Sequence, residues 1–185
     1  MSVFGLYSRY YDLLYRSKDY QSEAAFVAEH LESENVPSLD ILELGCGTGV
    51  HAALLAKRGF RVHGIDFSAE MLEAAQQRRA DLPPEAAARL TFASGDVRTY
   101  RHAAKFGAVV SLFHVFSYQT TNADLSAGFA TAAEHSSQVR SWRSTFGMAP
   151  RSSLNDLRCA CAVSRTIGRE SCAFQSRPCT PMKIA

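Results

Sequence analysis

At 185 residues, with 46% apolar and 21% charged side chains, the chain has the make-up of an ordinary globular protein and the length of one domain with a core of useful size. No apolar run reaches the roughly 18 residues of a bilayer-spanning helix, and residues 1–11 lack the basic and apolar regions of a secretory signal, so no membrane role and a cytoplasmic location are expected. The net charge of +2 conceals an asymmetry: residues 1–134 carry 12 basic and 16 acidic side chains, a balance of −4, and residues 135–185 carry 8 and 2, a balance of +6. Cys159, Cys161, Cys172 and Cys179 also lie in the second part, leaving Cys46 alone in the first, so the two parts are read separately.

In chain order, residues 20–31 place Ala24, Ala25, Phe26, Val27 and Leu31 in an apolar stripe flanked by Glu23, Glu29 and Glu32, the pattern of an amphipathic helix. After a turn at Pro37 and Ser38, residues 39–44 form a short apolar run that stops at glycines, as a buried parallel strand does. Residues 50–57 are helical and end at Gly59, a natural C-cap; 61–65 form a strand. Residues 69–80 form a helix with Ser68 as N-cap and Glu70 in its first turn. Pro83 and Pro84 mark a loop before the strand at 90–93. Residues 106–113 read as the fourth strand and 122–134 as the next helix, with Leu125, Phe129 and Ala133 on one face. Strands alternating with such helices predict βαβ units and an α/β fold with a doubly wound, Rossmann-like parallel sheet.

The chemistry lies at the strand ends. The first strand runs into Gly45, Cys46, Gly47, Thr48 and Gly49 and then a helix, which presents bare backbone and helix-start N–H groups to a nucleotide-type ligand. Asp66, 19 residues after Gly47 and at the end of the second strand, is placed to accept from ribose hydroxyls. Val50 stands where a dinucleotide fingerprint has its third glycine, which weakens a pyrophosphate reading. Glu43, two residues before Gly45, suits a ligand with an ammonium or sulfonium charge.

In combination these residues resemble the first motif of the class I methyltransferases, which use S-adenosylmethionine. Residues 64–72 look like the second motif, implying that Asp66 holds the ribose and that Phe67 and Met71 pack near the adenine. Residues 94–97 look like the third, implying that Asp96 accepts from the adenine amino group and that Val97 donates its backbone N–H. Leu112, Phe113 and His114 correspond to the segment under the methionyl part and the methyl group. Residues 10–20, with Tyr11 and Tyr20 at the matching positions, are similar to the lid of methyltransferases of antibiotic sugars and other small metabolites. The resemblance covers residues 7–134.

Each residue also has a plainer reading. Cys46 between two glycines is a small packing residue rather than a reactive thiol. His114 positions or deprotonates the acceptor, or simply lines its site. The tyrosines close a lid, or pack an amphipathic helix on the core. Asp66 alone would serve as a helix N-terminal charge and Asp96 as a turn former; their placement after successive strands favours the ligand.

Beyond residue 134 the pattern stops. A fifth strand and a C-terminal hairpin should follow, but residues 135–185 hold nine serines and seven arginines, and their cysteines lack metal-ligand spacing. Such a tail is expected to be disordered. One permitted set of codons for residues 139–150, read from the third base, yields PVLAFDVWYGP, a strand and turn, which suggests a frameshift near His135. The alternative is a basic extension that attracts nucleic acid. The expected organisation is a helical lid over 1–37, a cofactor domain over 38–134 and an atypical tail over 135–185. The expected function is methyl transfer from S-adenosylmethionine to a small-molecule acceptor without a metal, with turnover impaired if the substrate-side half is missing. A non-catalytic adenosyl binder or a dinucleotide-dependent oxidoreductase is the alternative.

Overall fold

The computed structural model describes residues 10–33 and 38–137, together with the backbone of residues 142–145 and 160–163. After a helical segment at residues 10–14 come α1 (Tyr20–Ser33), β1 (Asp40–Leu44), α2 (Val50–Lys57), β2 (Arg61–Asp66) and α3 (Ala69–Ala80). A one-turn α4 (Pro84–Ala87), β3 (Leu90–Ser94), β4 (Ala108–Val110), a 3-10 turn (Val115–Tyr118) and α5 (Asn122–His135) follow. The sheet order is β3-β2-β1-β4 with every pair parallel, so β1 is central and the chain reverses direction across the sheet beside it. That is the doubly wound order, in which ligands bind beyond the carboxyl ends of the strands at the point of reversal.

Alternation along the strands divides the core. Ile41, Val62, Leu90 and Val110 face Ala28 and Leu31 of α1 and Ala52, Leu55 and Ala56 of α2. Leu42, Leu44 and Ile65 face Phe116, Ala132, Leu125 and Phe129 on the other side. Each large apolar side chain removed from water contributes about 1.5–3 kcal/mol, and both faces of β1 are covered, which explains its unbroken apolar run. Ser68 caps its helix as read, its Oγ accepting from Met71 N at 3.2 Å, and Thr121, not singled out in the sequence, caps α5 in the same way, its Oγ1 accepting from Asp124 N at 3.1 Å.

Three expectations are corrected. The fourth strand is shorter than 106–113, because Ser111 donates its hydroxyl to Leu44 O at 3.0 Å and the chain then turns through Phe113 and His114, both left-handed at φ 58° and 64°. Pro83 and Pro84 do not mark a plain loop: Pro84 opens α4 at the position where its missing N–H costs nothing, and the N–H groups of Ala86 and Ala87 donate to Pro83 O at 2.9 Å. Finally, the ordered pattern continues past residue 134. Phe106 N donates to His135 O and Ser137 N to Phe106 O, both at 2.8 Å, a parallel bridge that begins beside β4 as a fifth strand would.

Of the tail expected to be disordered, the described part beyond residue 137 is an antiparallel pair, β5 (Trp142–Thr145) and β6 (Ala160–Val163). The remainder, with Cys159, Cys172, Cys179 and most of the segment used for the shifted reading frame, lies outside the described residues, as do residues 1–9 and 34–37 of the expected lid and the turn at Pro37. Among the described residues no helix is long and apolar enough to cross a membrane.

Candidate functional site

The loop after β1 is built from left-handed glycines, Gly45 at φ 74°, Gly47 at 54° and Gly49 at 74°, a conformation that other residues adopt only with strain. Its backbone is pinned to β2: Gly45 N and Cys46 N both donate to Ile65 O, at 2.8 and 2.9 Å. Gly47 N donates to Asp66 Oδ2 at 2.8 Å, and Ser68 N to Asp66 Oδ1 at 2.9 Å. Loop and carboxylate therefore share one crevice edge. A Cβ at Gly47 would meet nothing within 4 Å, so this is where bare backbone faces open space. At Gly45 the corresponding space is filled by Val115, 2.5 Å from an added Cβ, and at Gly49 by Ala75 and Phe92 at 3.1 Å. Of the three glycines, one opens to a ligand and two permit close packing.

Glu43 lies under this loop with 1% of its surface exposed, and its Oε2 is buried without a hydrogen-bond partner. Burial, reinforced by the negative charge of Asp66, pushes its carboxyl up to about 8. An orphaned acid in a dry site is costly unless a ligand completes it, and a cationic ligand would do so best. Cys46 is 6% exposed, with its thiol raised well above the ordinary value by burial first and then by Glu43 and Asp66, as an inert packing residue requires.

Asp96 is more heavily engaged than its motif implies. It accepts from Arg98 N at 2.8 Å and from the Arg98 guanidinium on both oxygens, and Arg98 continues to Asp124 at 2.8 Å. The Arg98 hydrogen bond holds its carboxyl below the usual range. Asp96 thus braces the loop after β3 against the start of α5. Val97, Leu112 and Met71 are buried at 8%, 9% and 6% exposure, whereas Phe67 is 76% exposed on the outer edge of the crevice.

The N-terminal segment comes to the site. Tyr11 and Tyr20 are packed edge-on against Phe113, at 6.1 and 6.4 Å between ring centres, and His114 lies 5.5 Å beyond that ring. Burial, and then the charge of Lys18, keep His114 below its ordinary pKa and hence neutral. A clasp that sequence reading missed fastens the segment: Thr48 Oγ1 donates to Asp12 Oδ1 at 2.7 Å, while Arg78 binds the other Asp12 oxygen and donates to Thr48 O at 2.9 Å. Asp12 and Arg78 are 66 positions apart and nothing in local pattern pairs them; Asp12 within the tyrosine-rich motif was the one available signal.

A parallel α/β sheet whose first strand enters an open glycine loop, with a carboxylate from the second strand bound to that loop, defines a Rossmann-like nucleotide-type site. The chain belongs to the methyltransferase family: the model described as "Methyltransferase domain" matches residues 41–138. It is 36% identical over 127 residues to dTDP-3-amino-3,4,6-trideoxy-alpha-D-glucopyranose N,N-dimethyltransferase of Streptomyces venezuelae, covering 68% of this chain and 50% of that protein. Among solved structures it is similar to DesVI of Streptomyces venezuelae, at 35% identity and TM-score 0.61 over 70% of this chain and 52% of that one. It is also similar to S-adenosylmethionine-bound CalS10, an amino pentose methyltransferase from Micromonospora echinaspora, at 29% identity and TM-score 0.65 over 76% and 57%. The chain spans about half the length of the curated relatives it matches.

Proposed function

We propose that the chain is a cytoplasmic S-adenosylmethionine-dependent methyltransferase acting on the amino group of a small, sugar-type acceptor. The observation that carries this reading is the buried, partnerless Glu43 carboxyl beneath an open Gly47 backbone already hydrogen-bonded to Asp66. These residues fit the cofactor: Glu43 offers an acid for its cationic amino-acid part, Gly47 leaves room for it, and Asp66 stands at the ribose position. Met71 and Val97 line the adenine side, with Phe67 at its edge, and Leu112 and Phe113 lie beneath the methionyl part. When bound, S-adenosylmethionine would supply a sulfonium methyl group open to attack by an acceptor lone pair, with the C–S bonding pair leaving on the thioether sulfur. Tyr11 and Tyr20 close the site and exclude water. His114, neutral at physiological pH, accepts a hydrogen bond from the attacking amine and so positions its lone pair. An amine acceptor is supported by the resemblance to an amino-sugar N,N-dimethyltransferase and an amino pentose methyltransferase.

The test is calorimetric titration of the chain with S-adenosylmethionine, S-adenosylhomocysteine and NAD, followed by methyl transfer to amino-sugar and hydroxyl acceptors. Micromolar binding of both adenosyl ligands and none of NAD is expected; preference for NAD would reverse the assignment. The proposed cofactor contacts come from β1 to β4, their loops and the N-terminal tyrosines, so binding is expected to persist even where turnover is low.

A further inference from the structure

Away from the glycine loop, aromatic rings converge at the carboxyl end of β4. Tyr15 meets Phe113 edge-on at 4.7 Å, Tyr11 lies 4.9 Å from Tyr15, and Tyr20 closes the group beside Phe113. The ammonium of Lys18 sits over two of these rings, 4.7 Å from the centre of Tyr20 and 4.6 Å from that of Phe113. It is also ion-paired with Glu23, which accepts from His51 Nε2 at 2.7 Å. Burial opposes the Glu23 charge, but the hydrogen bonds from His51 and Lys18 hold its carboxyl below the usual range, so it is an anion in the box. The Tyr20 hydroxyl is buried there without a partner.

Electron-rich ring faces around one carboxylate form an environment suited to an alkylammonium ion. The ion in place belongs to the protein itself. A lysine is a poor permanent filler of such a box, because its ammonium is strongly hydrated and its four-carbon stem is flexible. The box adjoins the proposed methyl-transfer site directly, since Phe113 forms its wall, His114 follows, and the next residue, Val115, covers Gly45.

We propose that this box holds the alkylammonium that methylation leaves on the acceptor, with Lys18 as an internal occupant that this methylated group displaces. The identity of the ligand rests on the amine-methylation reading above; the existence of a cation site does not. Methylation makes the acceptor's ammonium larger and less hydrated, which improves its fit to ring faces relative to the lysine it displaces. Glu43, separately buried beside the loop, is the acid available to the cofactor's own ammonium, which leaves the box to the acceptor.

The test uses the full chain, the Lys18→Met variant, and choline beside its uncharged isostere 3,3-dimethylbutan-1-ol, with binding followed by NMR shifts of the aromatic protons. Lys18→Met is expected to bind choline roughly tenfold or more tightly than the parent chain, and to ignore the alcohol. Adding Phe113→Leu should abolish the gain, and Lys18→Gln should reproduce it; circular dichroism and urea unfolding report folding of each variant independently. Equal choline affinity in the parent and in both folded Lys18 variants, or equal binding of the alcohol, overturns the proposal. Saturating choline should leave S-adenosylhomocysteine affinity unchanged; weakened affinity would assign the box to the cofactor's ammonium and overturn the acceptor assignment. Failure of the parent chain to bind S-adenosylhomocysteine would instead remove the methyltransferase reading, while the choline comparison still decides the box.

Discussion

Glu43 is the residue on which burial acts most directly. Its carboxyl is raised in the folded chain to about 8, so between the ordinary carboxylate range and pH 8 the folded state holds a proton that the unfolded state has lost. Stability is then greatest below the unfolded value and falls as pH rises through this window, by an amount on the order of several kcal/mol. Glu43→Gln is expected to flatten that dependence, measured by urea unfolding between about pH 4 and pH 8. The same group predicts that binding of the cationic cofactor releases a proton near neutrality, seen as different calorimetric enthalpies in buffers of different ionisation heat and lost in Glu43→Gln. Asp66→Ala removes the partner of Gly47 N and of the ribose position together; a fall of about 10- to 100-fold in S-adenosylhomocysteine affinity is expected.

Elements are held in place by close backbone approaches and by long-range clasps. Before β4, Gly107 N donates to Asp40 O at 2.8 Å, and a Cβ there would lie 2.0 Å from Ser38 O, backbone that has no room to yield. Gly107→Ala is therefore expected to cost about 3 kcal/mol or more, read as a lowered unfolding midpoint. The clasp of Asp12 with Thr48 and Arg78 secures the N-terminal segment to the loop and to α3 without belonging to the core. Arg78→Ala is expected to leave the unfolding midpoint nearly unchanged while raising hydrogen exchange in residues 10–20 several-fold, because local opening draws on local contacts. Equal protection in the two proteins would show that the aromatic contacts hold the segment alone.

For the whole molecule, the four-stranded parallel sheet lies in the region matched by the methyltransferase family, and the parallel bridge of Phe106 with Ser136 carries parallel pairing past the end of α5. The family match ends at residue 138, one residue past the bridge's Ser137 hydrogen bond. A chimera in which the residues after 137 are replaced by the corresponding segment of the Streptomyces venezuelae N,N-dimethyltransferase is expected to turn over amine acceptors with little change in S-adenosylhomocysteine affinity, since β1 to β4 are unchanged in it. Loss of cofactor affinity in the chimera would contradict this.

Periodicity and punctuation were enough to read α1, α2, α3, β1, β2 and the parallel architecture from the sequence, because an apolar stripe, a serine cap and a glycine stop act within a few residues of one another. The strand-end positions of Glu43, Gly47 and Asp66 were legible for the same reason: spacing along an alternating chain fixes which residues reach the crevice. Tertiary structure decided what spacing cannot encode. It filled the space at Gly45 with Val115, shortened β4 by tying Ser111 to Leu44, engaged Asp96 with Arg98, and seated Lys18 over two rings drawn from two distant segments. These are contacts between residues far apart in the chain, and their energies depend on shape and desolvation once the layers have closed, which no local pattern of residue types specifies.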